Sequence, residues 1–176
     1  MKTVGNKLEP FVVTGVKPGQ PEDAFFDITE ESFPGKWKVI VYYPKDFTFV
    51  CPTEIVAYDK LASDFADRDA VLLTGSTDNE FCKVAWQNAH ADLKKITHTQ
   101  FADTQRGELS LINQLGVFYA PAGAALRATF IVDPDNVIQH VTVNNLNVGR
   151  SPEETLRILD ACQSGELCQC NRQIGE

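Results

Sequence analysis

Between Trp37 and Tyr43 the chain has an apolar run broken only by Lys38 and rich in β-branched and aromatic side chains. Such a run has no polar alternation to turn toward water, so it reads as a central strand buried on both faces. It ends at Pro44, and soon afterwards Ile55, Tyr58, Leu61, Ala62 and Phe65 recur at three- and four-residue spacing. That spacing predicts one helix to about Asp67, with its apolar stripe on the sheet. Ala70 to Thr74 is the next buried strand. Thr77-Asp78-Asn79-Glu80 is a capping-box pattern opening a helix with Phe81, Ala85 and Trp86. Strand, helix, strand, helix in one sheet requires parallel crossovers, which makes this an α/β chain.

Other segments fit around that unit. Leu8 to Val16 and Phe25 to Ile28 read as strands separated by the turn Pro18-Gly19-Gln20-Pro21. Phe101-Ala102-Asp103 ends a short strand, and Gln105 to Leu115 reads as a helix closed by Gly116. Arg127 to Asp133 and Val137 to Val143 are joined by Pro134-Asp135-Asn136, short enough for an antiparallel hairpin. Ser151-Pro152-Glu153-Glu154 starts a last helix, with Leu156, Leu159 and Cys162 on one face and Gly165 at its end. The reading is one domain over residues 1–165 and a tail, 166–176, with little apolar content. That tail is expected to be mobile or to dock on a partner chain.

The junction at Pro44 is where chemistry is expected. If Thr48 is the N-cap, Phe49 to Pro52 form the first helical turn and Cys51 lies among free N–H groups, where Pro52 costs no hydrogen bond. About half a positive charge accumulates at a helix N-terminus, and such a site can lower a cysteine pKa from about 8.5 into the ~3.5–7.5 range. On residue type alone such a cysteine is as readily a packed thiol as a reactive one. The residue three before it is Thr48, so no local C-x-x-C disulfide can form and a thiol-disulfide oxidoreductase is disfavoured.

The five cysteines, 51, 82, 162, 168 and 170, are an odd number in a sequence whose first residues lack an apolar signal segment. This argues for reactive thiols or metal rather than a disulfide framework, and for a protein that stays in the cytoplasm. The net charge of −8 argues against nucleic acid and anionic membranes as partners.

Phe47-Thr48-Phe49-Val50-Cys51-Pro52-Thr53-Glu54, Arg127-Ala128-Thr129-Phe130-Ile131-Val132-Asp133 and Val148-Gly149-Arg150-Ser151 together resemble the typical two-cysteine peroxiredoxins, in the bacterial alkyl hydroperoxide reductase C branch. The resemblance implies a thioredoxin-like fold with a central mixed sheet flanked by helices, thiol peroxidase activity in antioxidant defence, and homodimers assembling into decamer-type rings. It implies Cys51 as the peroxidatic cysteine, Thr48 bonding the peroxide, Pro44 shielding the site, Arg127 pairing with the thiolate and Glu54 orienting the arginine. It places the resolving cysteine in the tail of the other subunit, where Cys168 aligns best and Cys170 stands as backup or relay. No metal, haem or flavin is implied. Recycling would fall to an external dithiol donor, whether thioredoxin, a dedicated flavoprotein or another small dithiol protein.

A thiolate alone would not make a fast peroxidase. Lowering a cysteine pKa from ~8.5 to ~6 raises the thiolate fraction at neutral pH about 30-fold. A Brønsted coefficient of about 0.4–0.5 returns roughly 13-fold of that in lost nucleophilicity. The remainder must come from contacts made in the transition state, which Thr48 and Arg127 would supply.

Rival readings are a chaperone-like ring that does not turn over and, for Cys168-Gln169-Cys170, a metal pair. The pair would need two more ligands, and His90, His98 and His140 have no ligand spacing. Cys82 and Cys162 read as packing residues. Peroxide-sensitive relatives carry a Gly-Gly-Leu-Gly segment and a C-terminal Tyr-Phe extension over the active-site helix. This sequence has Leu93-Lys94-Lys95-Ile96-Thr97-His98-Thr99 in that region and ends at Glu176, so resistance to over-oxidation is expected.

Overall fold

Strand β3 (Trp37–Tyr42) is an interior strand of a seven-stranded sheet, and five of its six residues are buried. In the computed structural model, which describes residues 1–19 and 22–176, the strands are ordered β2-β1-β5-β4-β3-β8-β9. They are β1 (Val12–Val16), β2 (Phe25–Thr29), β4 (Ala70–Ser76), β5 (Thr99–Ala102), β8 (Arg127–Val132) and β9 (Ile138–Asn144), with a small ribbon of β6 (Phe118–Tyr119) and β7 (Ala124–Ala125) apart from them. β3, β4 and β5 are parallel; β8 pairs antiparallel with both β3 and β9, and β1 with both β2 and β5. This is the mixed sheet of a thioredoxin-like fold. The predicted turn at Gln20-Pro21 lies outside the described residues.

Two apolar clusters fill the sheet's faces. One joins Ile40, Tyr42, Phe101 and Phe130 with Leu111, Ile112 and Leu115 of helix α4 (Leu111–Leu115). Gly75 in β4 is needed here, because a side chain at that position would overlap the Phe101 ring. The other joins Val39, Val41 and Leu72 to Tyr58 of helix α1 (Cys51–Asp59), Phe65 of α2 (Ala62–Asp67), and Leu156 and Leu159 of α5 (Pro152–Ser164). Helix α3 (Glu80–Ala89) completes the set.

Several boundaries differ from the sequence expectation. The helix predicted to reach Asp67 is two helices, because the chain turns at Lys60 and Leu61. The stripe spacing survives the break, which is why periodicity alone could not show it. Asn79, not Thr77, caps α3, accepting from the Cys82 N–H at 2.9 Å. Only 111–115 of the predicted 105–115 helix is helical. Asn113 Nδ2 donates to the carbonyls of Arg106 (2.8 Å) and Gly107 (3.0 Å), holding the preceding residues as a loop. Ser151 caps α5 as expected, but Glu154 turns to Arg157.

The tail is folded back on α5. Arg172 Nη1 donates to Asp160 at 2.7 Å, the Gly175 N–H to the same carboxylate at 3.1 Å, and Arg157 Nη1 to the Arg172 carbonyl at 2.9 Å.

Candidate active site

The sheet hands the chain from β3 to α1 through residues 44–50, and the thiol of Cys51 stands at the helix start. It is 1% exposed, packed with Tyr43, Ile55, Trp86, Leu93 and Ile96. Thr48 is not the N-cap. Helix α1 begins at Cys51 itself, with Val50 in the cap position and no side-chain cap. The Thr48 hydroxyl instead donates backwards to the Lys45 carbonyl at 3.0 Å, since Phe47 at φ 58° reverses the chain direction just before it. Cys51 is therefore the first helical residue rather than the third, still within the turn whose N–H groups lack helical partners. The Thr48 hydrogen is committed to Lys45, which leaves the oxygen's lone pairs free to accept from an O–H. Pro44, the first residue of this loop, is buried.

Opposite the helix start stands the first residue of β8. Arg127 is 4% exposed, and its guanidinium makes three bonds: Nη1 to Cys51 Sγ at 3.5 Å, Nη1 to Glu54 Oε1 at 2.5 Å, and Nε to the Leu146 carbonyl at 2.7 Å. Glu54 lies one turn along α1 from Cys51, so helix geometry alone puts carboxylate and thiol on one face. It also receives Arg150, whose Nε donates to Oε2 at 2.7 Å, Nη2 to Oε1 at 3.0 Å, and backbone N–H to Oε2 at 3.1 Å. Arg150 Nη1 is spent on the Ala128 carbonyl at 2.8 Å, which fixes the group to β8. Burial would raise the Glu54 pKa, but the bonds and charges of Arg150 and then Arg127 outweigh it and hold the carboxyl below its ordinary range.

Charge bookkeeping shows what this arrangement favours. Two buried guanidinium groups face one carboxylate, leaving one positive charge without an anionic partner in the cluster. Arg127 Nη1, which bonds Glu54, also faces the sulfur, so the surplus acts there. Negative charge developing on the sulfur or on an oxygen bound beside it is stabilised there more strongly than in water, because the site excludes water.

The structure thus brings Cys51, Glu54 and Arg127 into contact and sets Pro44 and Thr48 in the adjoining loop. It does not bring Cys168 or Cys170 to them: both are exposed in the tail, with Cys168 Sγ 3.4 Å from Ser164 Oγ and 3.7 Å from the Ala161 carbonyl. Cys82 and Cys162 are half-buried. Among the described residues no group of three or more His, Cys, Asp or Glu could hold a metal ion. Arg150 is the functional residue to which the sequence reading gave no role. One signal was available: an arginine immediately before a helix N-cap is electrostatically misplaced unless a carboxylate holds it.

A model of the AhpC/TSA family matches residues 4–141. Alkyl hydroperoxide reductase C of Mycolicibacterium smegmatis is 46% identical, over 99% of this chain and 91% of its own. Mycobacterium tuberculosis AhpC superposes with a TM-score of 0.85 at 45% identity, covering 96% of this chain and 97% of its own. The reduced 2-Cys peroxiredoxin of Plasmodium vivax gives a TM-score of 0.88 at 34% identity, covering 100% and 92%.

Proposed function

This chain belongs to the AhpC/TSA family and is a thiol peroxidase of the alkyl hydroperoxide reductase C type, and we propose that Cys51 is where it reduces hydrogen peroxide and organic hydroperoxides. The single observation carrying the assignment is the Arg127 guanidinium 3.5 Å from Cys51 Sγ, clamped from behind by Glu54 and Arg150. Thr48 accepts the hydroperoxide O–H, which aims the O–O bond along the sulfur's line of attack. The thiolate electron pair forms the S–O bond as the O–O bond breaks. The departing RO⁻ is stabilised by Arg127 until it takes a proton and leaves as alcohol or water. Sulfur ends as the sulfenic acid.

Cys168 of a second subunit then displaces hydroxide from the sulfenic sulfur, giving a disulfide and water, and Cys170 is its backup. An external dithiol, thioredoxin or another small dithiol protein or a flavoprotein, returns both thiols by exchange and takes away the oxidising equivalents. Exposure of both tail thiols supports this. For a dimer that builds a ring, support comes from β9, an edge strand that, among the described residues, is covered on its outer side only at Ile138, by Gly5 and Asn6. No helix among the described residues is long and apolar enough to cross a membrane, which is compatible with a cytoplasmic enzyme.

The test is steady-state peroxide loss with each class of dithiol donor supplied separately. Cys51→Ser should remove all turnover, with secondary structure retained. Activity above a few per cent of wild type in that variant would refute the assignment, because a serine hydroxyl is a poor nucleophile at neutral pH.

A further inference from the structure

Loop 44–50 is also held by a buried polar cluster, adjoining Tyr43 and Trp86, that has no part in the chemistry above. Lys83 of α3 has no exposed surface, yet its Nζ reaches both Asp46 oxygens at 3.2 and 3.3 Å and Ser76 Oγ at 2.8 Å. Asp46 also accepts from Tyr43 Oη at 2.6 Å and Ser76 Oγ at 2.9 Å, and its own N–H donates to Asp78 at 2.7 Å. Burial pushes the Lys83 ammonium below the ordinary lysine range while Asp46 pulls the other way.

Apolar pairs of similar volume often stabilise a fold as well as a buried ion pair, or better. What the pair contributes is therefore placement, and the placed segment is distinctive. Asp46 lies two residues before Thr48 and five before Cys51. Phe47 between them holds φ 58°, a conformation that persists in a bulky residue only where its surroundings over-determine it. The Phe47 ring stacks 5.8 Å from Trp86, one helical turn beyond Lys83. The segment that opens α3 and the helix itself thus grip the loop at Asp78, Lys83 and Trp86.

We propose that Lys83 and Asp46 are positioning residues whose buried pair latches loop 44–50 onto α3. Closed, the latch holds Thr48 in place beside Cys51. Open, it releases the loop and the first turn of α1, as the buried Cys51 sulfur requires before another subunit's thiol can reach it. The kinetic consequence rests on the peroxidase reading; the structural one does not.

Two measurements test it on the full-length reduced protein. Lys83→Met keeps most of the volume and leaves Asp46 unpaired, whereas Lys83→Met with Asp46→Asn removes both charges. Amide exchange of residues 44–53 should rise about tenfold or more in the single variant, with β8 unchanged, and fall back in the double variant. If Lys83→Met does not fold, Asp46→Asn alone carries the same comparison. In rapid mixing followed by Trp86 fluorescence, the second-order oxidation step should slow several-fold in Lys83→Met while the first-order disulfide step accelerates several-fold. Exchange that rises in the loop and β8 together, or in neither, overturns the latch, as do two kinetic steps that move in the same direction. A wild-type protein whose Cys51 resists peroxide would refute the peroxidase reading, and the exchange data would still decide the latch.

Discussion

Glu54 carries more of the site than its place behind the arginines suggests. Removing one partner from a buried ion cluster costs about 3–5 kcal/mol, because the remaining charges are left without compensation. Glu54→Gln should therefore swing Arg127 off Cys51 and slow oxidation even though Glu54 never touches substrate. Its pH signature follows from linkage. The folded-state pKa lies below the ordinary glutamate value of 4.5, so the stabilisation is fully present above that value and is lost as pH falls through the lower folded one. Denaturation midpoints across the acid range should show this loss in wild type, and Glu54→Gln should lack that segment of the curve. A parallel acid profile in the two proteins would show that Glu54 does not sense the arginines.

At the scale of elements, the tail is the segment whose attachment should be easiest to undo. Asp160 accepts from Arg172, Gly175 and, at 3.5 Å, Arg68. Asp160→Asn should make residues 166–176 markedly more sensitive to protease, with the rate of Cys51 oxidation unchanged. Equal protease sensitivity would mean the tail is held by something else. Elements also mark how far the sequence could be read. β3, β4, β8 and the Gly165 stop of α5 were legible because buried apolar runs and a left-handed glycine are local signals. The break at Lys60 was hidden because the apolar spacing continues across it, and the loop at 105–110 and the true start of α1 because they turn on side-chain bonds to backbone carbonyls, Asn113 to Arg106 and Thr48 to Lys45, that composition and periodicity do not signal. For the same reason Cys51, Glu54 and Arg127 could be named from motifs, whereas Arg150 became functional only when Glu54 was seen to receive it, and Lys83 only when Asp46 was.

For the whole molecule, Cys51 is buried whereas Cys168 and Cys170 are exposed in the tail beside α5, which fits the proposed second half of the cycle, an encounter between chains. Oxidation should give a covalent dimer on non-reducing gels, strongly reduced in Cys168→Ser and absent when Cys170 is replaced as well. A dimer that persists in the double variant would transfer the resolving role to Cys82 or Cys162. That double variant also isolates the central claim. One equivalent of hydroperoxide mixed with the reduced Cys168→Ser, Cys170→Ser protein, followed by peptide mass analysis with a sulfenic-acid trap, should place a single trapped oxygen on Cys51 within the mixing time and leave Cys82 and Cys162 unmodified. Oxidation spread evenly over the remaining cysteines, or slow at Cys51, would contradict the account, because it would mean that the Arg127 cluster does not direct the chemistry to that sulfur.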